Sequence, residues 1–364
     1  MLFRSLRLVD THGLDALDLL ELRLCLFGLR LLVAEALDEA LEARDLLRLT
    51  RGRLRLVERS GRLLAKRPSK PQLRNPGGGT DMEIGAAIFF TDYSMEPPAL
   101  AVALEERGFD SLWVAEHSHI SASRQTGPDG GALDKRYFDV MDPFVTLAAA
   151  AAATKRLKVG TGVCLVIQRD TIQTAKLVAS LDQVSKGRFL FGIGCGWNAE
   201  EMEDHGTVYE TRTLKMREQI EAMKEIWIKE KPEYHGEIVK FPPMMTWPKP
   251  VQKPHPPVIL GGAFRFAARR AIRYGDGLIP QAPSAGSGSP EEFMPRLRQM
   301  AEEAGRDPQS LSVTLGGAPE DLDVLKRNRD LGVARMTVRL PPAKEDEILP
   351  VLDRWAKLIP QVRN

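Results

Sequence analysis

Lys186-Gly187-Arg188-Phe189-Leu190-Phe191-Gly192-Ile193-Gly194-Cys195-Gly196-Trp197 reads as a helix stop, a buried strand and a glycine-rich strand end. An amphipathic stretch at 171–185 precedes it and Gly187 closes that helix, as glycine does just past a helix end. The strand covers 188–193, and a long helix follows at 211–228. The same strand-then-helix unit repeats outward in both directions. Toward the amino terminus lie strands at 83–89, 111–115 and 157–163, with helices at 97–107 and 142–154. Toward the carboxyl terminus the strands are 258–260, 277–280, 311–315 and 334–340, with helices at 264–273, 290–304, 319–331 and 345–358. Eight such units in about 280 residues predict an α/β fold closed as a (β/α)8 TIM barrel. A doubly wound open sheet is the alternative, because element order alone does not reveal closure.

The barrel pattern starts at Met82, and the sequence before it differs in character. Residues 1–65 hold no Lys and no Ile, and Leu, Arg, Asp and Glu dominate them. Pro68-Ser69-Lys70-Pro71 and Asn75-Pro76-Gly77-Gly78-Gly79 then read as a linker. Residues 1–81 are therefore expected to be an atypical Leu/Arg-rich N-terminal extension and not a functional domain. Its composition matches that expected of translated GC-rich upstream DNA, and on this reading Met82 is the expected natural start. The competing reading is an accessory helix near 33–47 that helps form a homodimer. Residues 82–364 form the working domain.

Composition excludes several functions. The net charge of +2 on 364 residues gives no field for nucleic acid. Cys25, Cys164 and Cys195 lie far apart, which argues against a disulfide framework or zinc site and for a reducing cytoplasm. The apolar run 24–29 is far below the ~20 residues that span a bilayer, so no membrane partner is expected.

In such barrels function lies at the carboxyl ends of the strands. Strand two ends in Trp113-Val114-Ala115-Glu116-His117-Ser118-His119, where His117 can move a proton near neutral pH. The H-x-H pair lacks an obvious third ligand, so no metal is expected, and an ordinary loop histidine is the bland alternative. The connection 118–142 that follows is long enough to be a lid or binding segment. Strand three ends in Gly160-Thr161-Gly162-Val163, where glycine permits close ligand approach or merely a bulge. Gly192, Gly194 and Gly196 fall on one side of strand four, leaving it bare for a flat ring; close strand packing is the competing account. Position 199 is Ala, so a G-x-G-x-x-G dinucleotide motif is not formed. Gly261-Gly262-Ala263 stands directly before a helix, as a phosphate cradle does, with Arg265 close by. No nucleophile elbow, P-loop or metal cage accompanies these features. A bound organic cofactor is left to carry the chemistry.

Two further stretches give these features a family likeness. Ala175-Lys176, Leu181-Asp182, Lys186-Gly187-Arg188, Gly192 to Trp197 and Glu200-Glu201 form the first. The second runs Pro250-Val251-Gln252-Lys253-Pro254-His255-Pro256-Pro257-Val258-Ile259-Leu260-Gly261-Gly262, then Tyr274-Gly275-Asp276-Gly277, and later Gly316-Gly317-Ala318-Pro319. Over 82–360 the chain resembles the bacterial luciferase-like superfamily, and within it the coenzyme F420-dependent oxidoreductases. The resemblance implies that Gly162-Val163 forms a bulge behind the cofactor ring, often with a non-proline cis peptide in relatives. It implies that Gly194, Cys195, Gly196 and Trp197 border the ring, that Gly261, Gly262 and Ala263 hold its phosphate, and that Glu116 and His117 stand at the reacting edge. The chain departs from relatives at Val166 and Thr171, where prolines are usual, and at Glu116, where Asp is common.

The implied activity is hydride exchange between F420 and a small organic substrate. An FMN-dependent monooxygenase and a non-catalytic flavin-binding barrel are the alternatives. The acidic F420 tail predicts cations at the mouth, with Arg124, Lys135, Arg136 and Arg265 as candidates. Phe90, His119, Tyr137 and Trp197 are expected to line the pocket. The loop 281–289 is expected to be a mobile element on the same face, and 231–257 a structural segment on the opposite one.

Overall fold

The computed structural model describes residues 82–281 and 287–363. The expectation for 1–81, and most of that for the loop 281–289, lies outside them. Eight parallel strands close into a barrel in the order β1-β10-β9-β8-β7-β4-β3-β2. These are β1 (Glu83–Ile88), β2 (Ser111–Val114), β3 (Lys158–Thr161), β4 (Phe189–Ile193), β7 (Val258–Gly262), β8 (Gly277–Pro280), β9 (Ser312–Gly316) and β10 (Arg335–Arg339). β5 (Tyr234–His235) and β6 (Lys240–Phe241) form a separate antiparallel hairpin. All eight predicted barrel strands are present, and closure decides against the open sheet.

Side-chain alternation sorts the strands into two cores. One face packs under the helices, with Ile84, Ala86, Ile88 and Phe90 of the first unit all buried there. The other face fills the lumen, where Trp113, Leu190 and Ile259 pack with Ala87 and Ile279. Below them Arg335 donates to Glu83 and to Thr314 Oγ1, both at 2.8 Å, and Lys158 also pairs with Glu83. Burial would raise the Glu83 carboxyl, but Arg335 and Lys158 outweigh it and hold it below its usual value. The lumen is thus plugged by charge at its amino end, and its carboxyl end is left for function.

The helices start where their caps direct. Asp142 accepts from the Phe144 and Val145 amides at the start of Pro143–Ala153, and Asp170 from Gln173 at the start of Thr171–Val184. Ser289 and Glu292 form a reciprocal capping box on Pro290–Glu303. The last helix, Glu345–Arg363, passes Pro360 and outruns its expected end. Its final turn buries Ile359 and Val362, which outweighs the lost amide. Arg363 then binds Asp110 at 2.7 and 2.8 Å, and the Ile84 amide reaches the same carboxylate at 2.8 Å. Both ends of the barrel therefore converge on Asp110.

The segment after Arg212–Ile228 is structural, as expected. Glu218 accepts the amides of Glu237, Ile238 and Val239 in the hairpin. Gln252 ties the approach to β7 onto Asp182 at 2.7 Å.

Candidate functional site

His117 follows β2 at the carboxyl mouth. Its Nδ1 lies 2.8 Å from Glu201 Oε2, and the two side chains are 6% and 0% exposed. Glu201 also accepts from the Ser118 amide at 2.9 Å. Burial would raise the Glu201 carboxyl, but the His117 hydrogen bond and charge and the Ser118 amide overcome it and hold it below its ordinary value. An ionised Glu201 requires a proton on His117 Nδ1, which leaves Nε2 as the working nitrogen. Glu201 sits on a short helix, Ala199–Asp204, that strand-and-helix periodicity did not register. Its only sequence signal was the Glu200-Glu201 pair within the family likeness.

Aromatic rings surround this pair. Tyr137 lies 5.4 Å and Trp197 5.7 Å from the His117 ring, and Phe89 lies 5.3 Å from Tyr137, all edge-to-face. Tyr137 comes from Arg136–Asp139, a helical turn inside the 118–142 connection. The lumen-facing aromatic is Phe89, not the expected Phe90, which is 1% exposed under the helices. Alternation from Ala87 puts Phe89 on the lumen side. His119 turns away from His117 and pairs with Asp204 at 2.9 Å on the outside. Among the described residues no three His, Cys, Asp or Glu side chains gather as a metal cage.

Glu116 is 6% exposed and fully engaged. Its carboxylate accepts from the Leu165 amide at 2.6 Å and from Arg169 Nε at 2.5 Å. Arg169 reaches on to Asp142 at 2.5 Å. The extra methylene relative to Asp serves this reach, so Glu116 braces the segment beyond the bulge. Val166, where relatives have proline, opens a 3-10 turn and is wholly buried. Burial, with Glu116 adding to it, pushes the Cys164 thiol up, so that cysteine stays protonated.

The Gly162-Val163 peptide is cis. Gly162 is exposed at the mouth, and the Val163 side chain wedges between two neighbouring strand ends. A Cβ at Gly194 would lie 2.7 Å from Val163 Cγ2, and one at Gly261 2.7 Å from Val163 Cγ1. A Cβ at Gly192 would fall 2.0 Å from the Thr161 carbonyl oxygen. The reading of a bare glycine face is corrected here: close packing around the bulge is what these glycines serve. Gly196 adopts φ +73° beside Leu165, and Cys195 turns its Sγ to Met216 Sδ at 3.5 Å. Cys195 can thus offer a ligand only its backbone.

Gly262 has φ +134° and open space where a side chain would be. Ala263 caps Phe264–Tyr274, and the Phe264 amide there is taken by Ser287 Oγ at 3.1 Å. The structure thus gathers Gly162, Val163, Gly194 and Gly261 around one wedge, and His117, Trp197 and Glu201 around another centre. The cations expected for an acidic tail are largely spoken for. Arg124 pairs with Glu200 at 3.0 Å, Arg136 approaches Asp134 at 3.5 Å, and Lys135 pairs with Asp139.

A closed parallel barrel with a histidine–carboxylate pair at its carboxyl mouth has the layout of a barrel enzyme. The chain belongs to the luciferase-like monooxygenase family, whose model matches residues 92–319. An uncharacterised protein of Mycobacterium tuberculosis is 37% identical over 286 residues, 76% of this chain and 98% of that protein. An F420-dependent glucose-6-phosphate dehydrogenase of Nakamurella multipartita is 28% identical over 211 residues, 57% of this chain and 58% of that protein. In fold, a monooxygenase from Streptomyces bottropensis superposes with a TM-score of 0.63 at 19% identity, covering 76% of this chain and 98% of that one. The family match and the barrel together place the chain among the luciferase-like oxidoreductases. Among the described residues no helix is long and apolar enough to cross a membrane.

Proposed function

We propose that the protein is an F420-dependent oxidoreductase that transfers a hydride between the deazaflavin and a small organic substrate. The observation that carries this is the buried His117–Glu201 pair, which fixes one ring nitrogen and leaves Nε2 free at the carboxyl mouth, the same barrel end at which Gly162 is exposed. The residues fit a flat, phosphate-bearing group. Gly162 and Val163 offer exposed backbone for its ring, with Gly194, Cys195, Gly196 and Trp197 at the border. Gly261, Gly262 and Ala263 offer an open strand-to-helix turn for its phosphate.

When bound, the deazaflavin supplies a carbon that accepts or gives the hydride. His117 Nε2 takes the proton of a substrate hydroxyl, or returns it in the reverse direction. The Glu201 carboxylate holds the resulting imidazolium by the same 2.8 Å contact. Glu116 acts at one remove, fixing the Leu165 amide and Arg169 so that the bulge keeps its place. Phe89, Tyr137 and Trp197 exclude water around Nε2. Every residue given a role here falls within 82–364.

Binding decides the cofactor. F420 and FMN are titrated separately into the full chain, following absorbance and tryptophan quenching. F420 is expected to bind the more tightly. Binding of FMN alone would favour the monooxygenase, and binding of neither would overturn the cofactor assignment.

A further inference from the structure

We infer that Arg339 is the specificity-determining residue of this mouth, and that the substrate is an anion whose other end is flat and apolar. The inference deepens the proposed function and rests on it.

The argument starts from strand alternation. On β10 the side chains of Arg335 and Thr337 face the lumen, so Arg339 faces it too, at the carboxyl end. Met336 and Val338 face the helices, in the other core. Arg339 is exposed, and its register partner on β1 is Ala87. Two residues beyond Ala87 is Phe89, whose ring meets Tyr137 in the cluster around His117. Arginine and aromatic cluster thus occupy neighbouring strands of one mouth.

Charge sets Arg339 apart. Arg124, Lys135 and Arg136 each have a carboxylate within 3.5 Å. Arg339 has no hydrogen-bond or ion-pair partner among the described residues. The turn beside it leaves room for the guanidinium. Gly317 has φ +79°, and a Cβ there would sit 3.5 Å from Arg339 Nε. A guanidinium without a carboxylate, held on a strand end and facing a site, offers a two-pronged hydrogen-bond fork to a carboxylate or phosphate. Phosphate sites in such barrels recur at the ends of these last two strands. Beside it stand the rings around His117 and three cations that each have a carboxylate nearby, which favours a substrate carrying a single anionic group on a flat apolar body.

Three probes that share one ring test this: benzoate, phenyl phosphate and benzyl alcohol. Each is titrated into the full chain, and binding is followed by tryptophan fluorescence at constant ionic strength. At least one of the two anions should bind about ten-fold or more tightly than the alcohol, and Arg339→Met should erase that margin, as loss of a charge-assisted hydrogen bond predicts. Which anion binds better separates a carboxylate substrate from a phosphate ester. Arg339→Lys should keep part of the preference, and the thermal midpoint should be unchanged in both variants. Equal affinity of the variant and the parent for the anions would overturn the inference. So would weakened F420 binding in Arg339→Met with anion binding intact, because the arginine would then serve the cofactor. If the parent binds F420 but shows no anion preference, this inference fails while the cofactor assignment stands.

Discussion

Alanine at Gly194 would set a methyl group 2.7 Å from Val163 Cγ2, well inside any real contact. Gly194 does not have a positive φ, so the backbone itself accepts alanine. Overfilling a packed site costs about 1–3 kcal/mol. Alanine in place of glycine returns about 0.4–1 kcal/mol through the unfolded chain. Gly194→Ala should therefore destabilise by about 1–2 kcal/mol, which for a domain of this size lowers the thermal midpoint by about 2–4 °C per kcal/mol. Val163→Ala removes two half-buried methyl groups and costs about 1 kcal/mol. In the Val163→Ala background the clash is gone, and Gly194→Ala should become neutral or stabilising. Equilibrium urea unfolding of the four proteins gives the coupling directly. Gly192→Ala is the control, because its methyl would meet the Thr161 backbone oxygen at 2.0 Å and Val163→Ala cannot relieve that. An equal cost for Gly194→Ala in both backgrounds would refute the wedge.

Glu201→Gln should lower turnover by about ten-fold or more, since the amide cannot hold a protonated His117, while His117→Ala should abolish the proton step; steady-state rates against pH check both. The Glu201 carboxyl is held below its ordinary value of 4.5 in the fold, so its stabilisation is present above that value and is lost as pH falls through the folded one. Acid unfolding of Glu201→Gln should accordingly be flatter below about pH 4.5. His255 is buried, and burial, with Lys224, depresses it below 6.5 against the pull of Asp276. The unfolded chain then binds more protons below 6.5 than the folded one, so stability falls as pH drops through that value; thermal midpoints at two pH values should show His255→Asn with the smaller loss. A chain beginning at Met82 should keep the thermal midpoint and the F420 affinity of the full chain, and a clear loss of either would give residues 1–81 a role.

The barrel was legible because strands buried on both faces leave continuous apolar runs and the helices between them announce their ends with Asp, Pro and Gly. Closure was predicted from the count of eight units alone, since it rests on the pairing of β1 with β10, which no local pattern records. At the candidate site, the position of His117 at a strand end was legible, and its pairing with Glu201 was not. Glu201 was hidden because the six-residue helix that carries it is too short to show a period. Gly192 and Gly194 were recognised as special, but the space they leave goes to Thr161 and Val163, the packing account that was the alternative. A missing side chain looks the same in sequence whether its space goes to a ligand or to Val163. Glu116 was similarly ambiguous, because a carboxylate that braces and one that reacts are the same letter.

The meeting of Ile84 and Arg363 on Asp110 makes the starting point of the barrel arbitrary. A short linker joining residue 363 to residue 82 would turn the domain into a ring without disturbing that carboxylate. New ends could then be opened near Glu230 and Lys231, both exposed, on the face opposite His117. A circularly permuted enzyme of this kind would carry fusion partners at a position remote from its mouth.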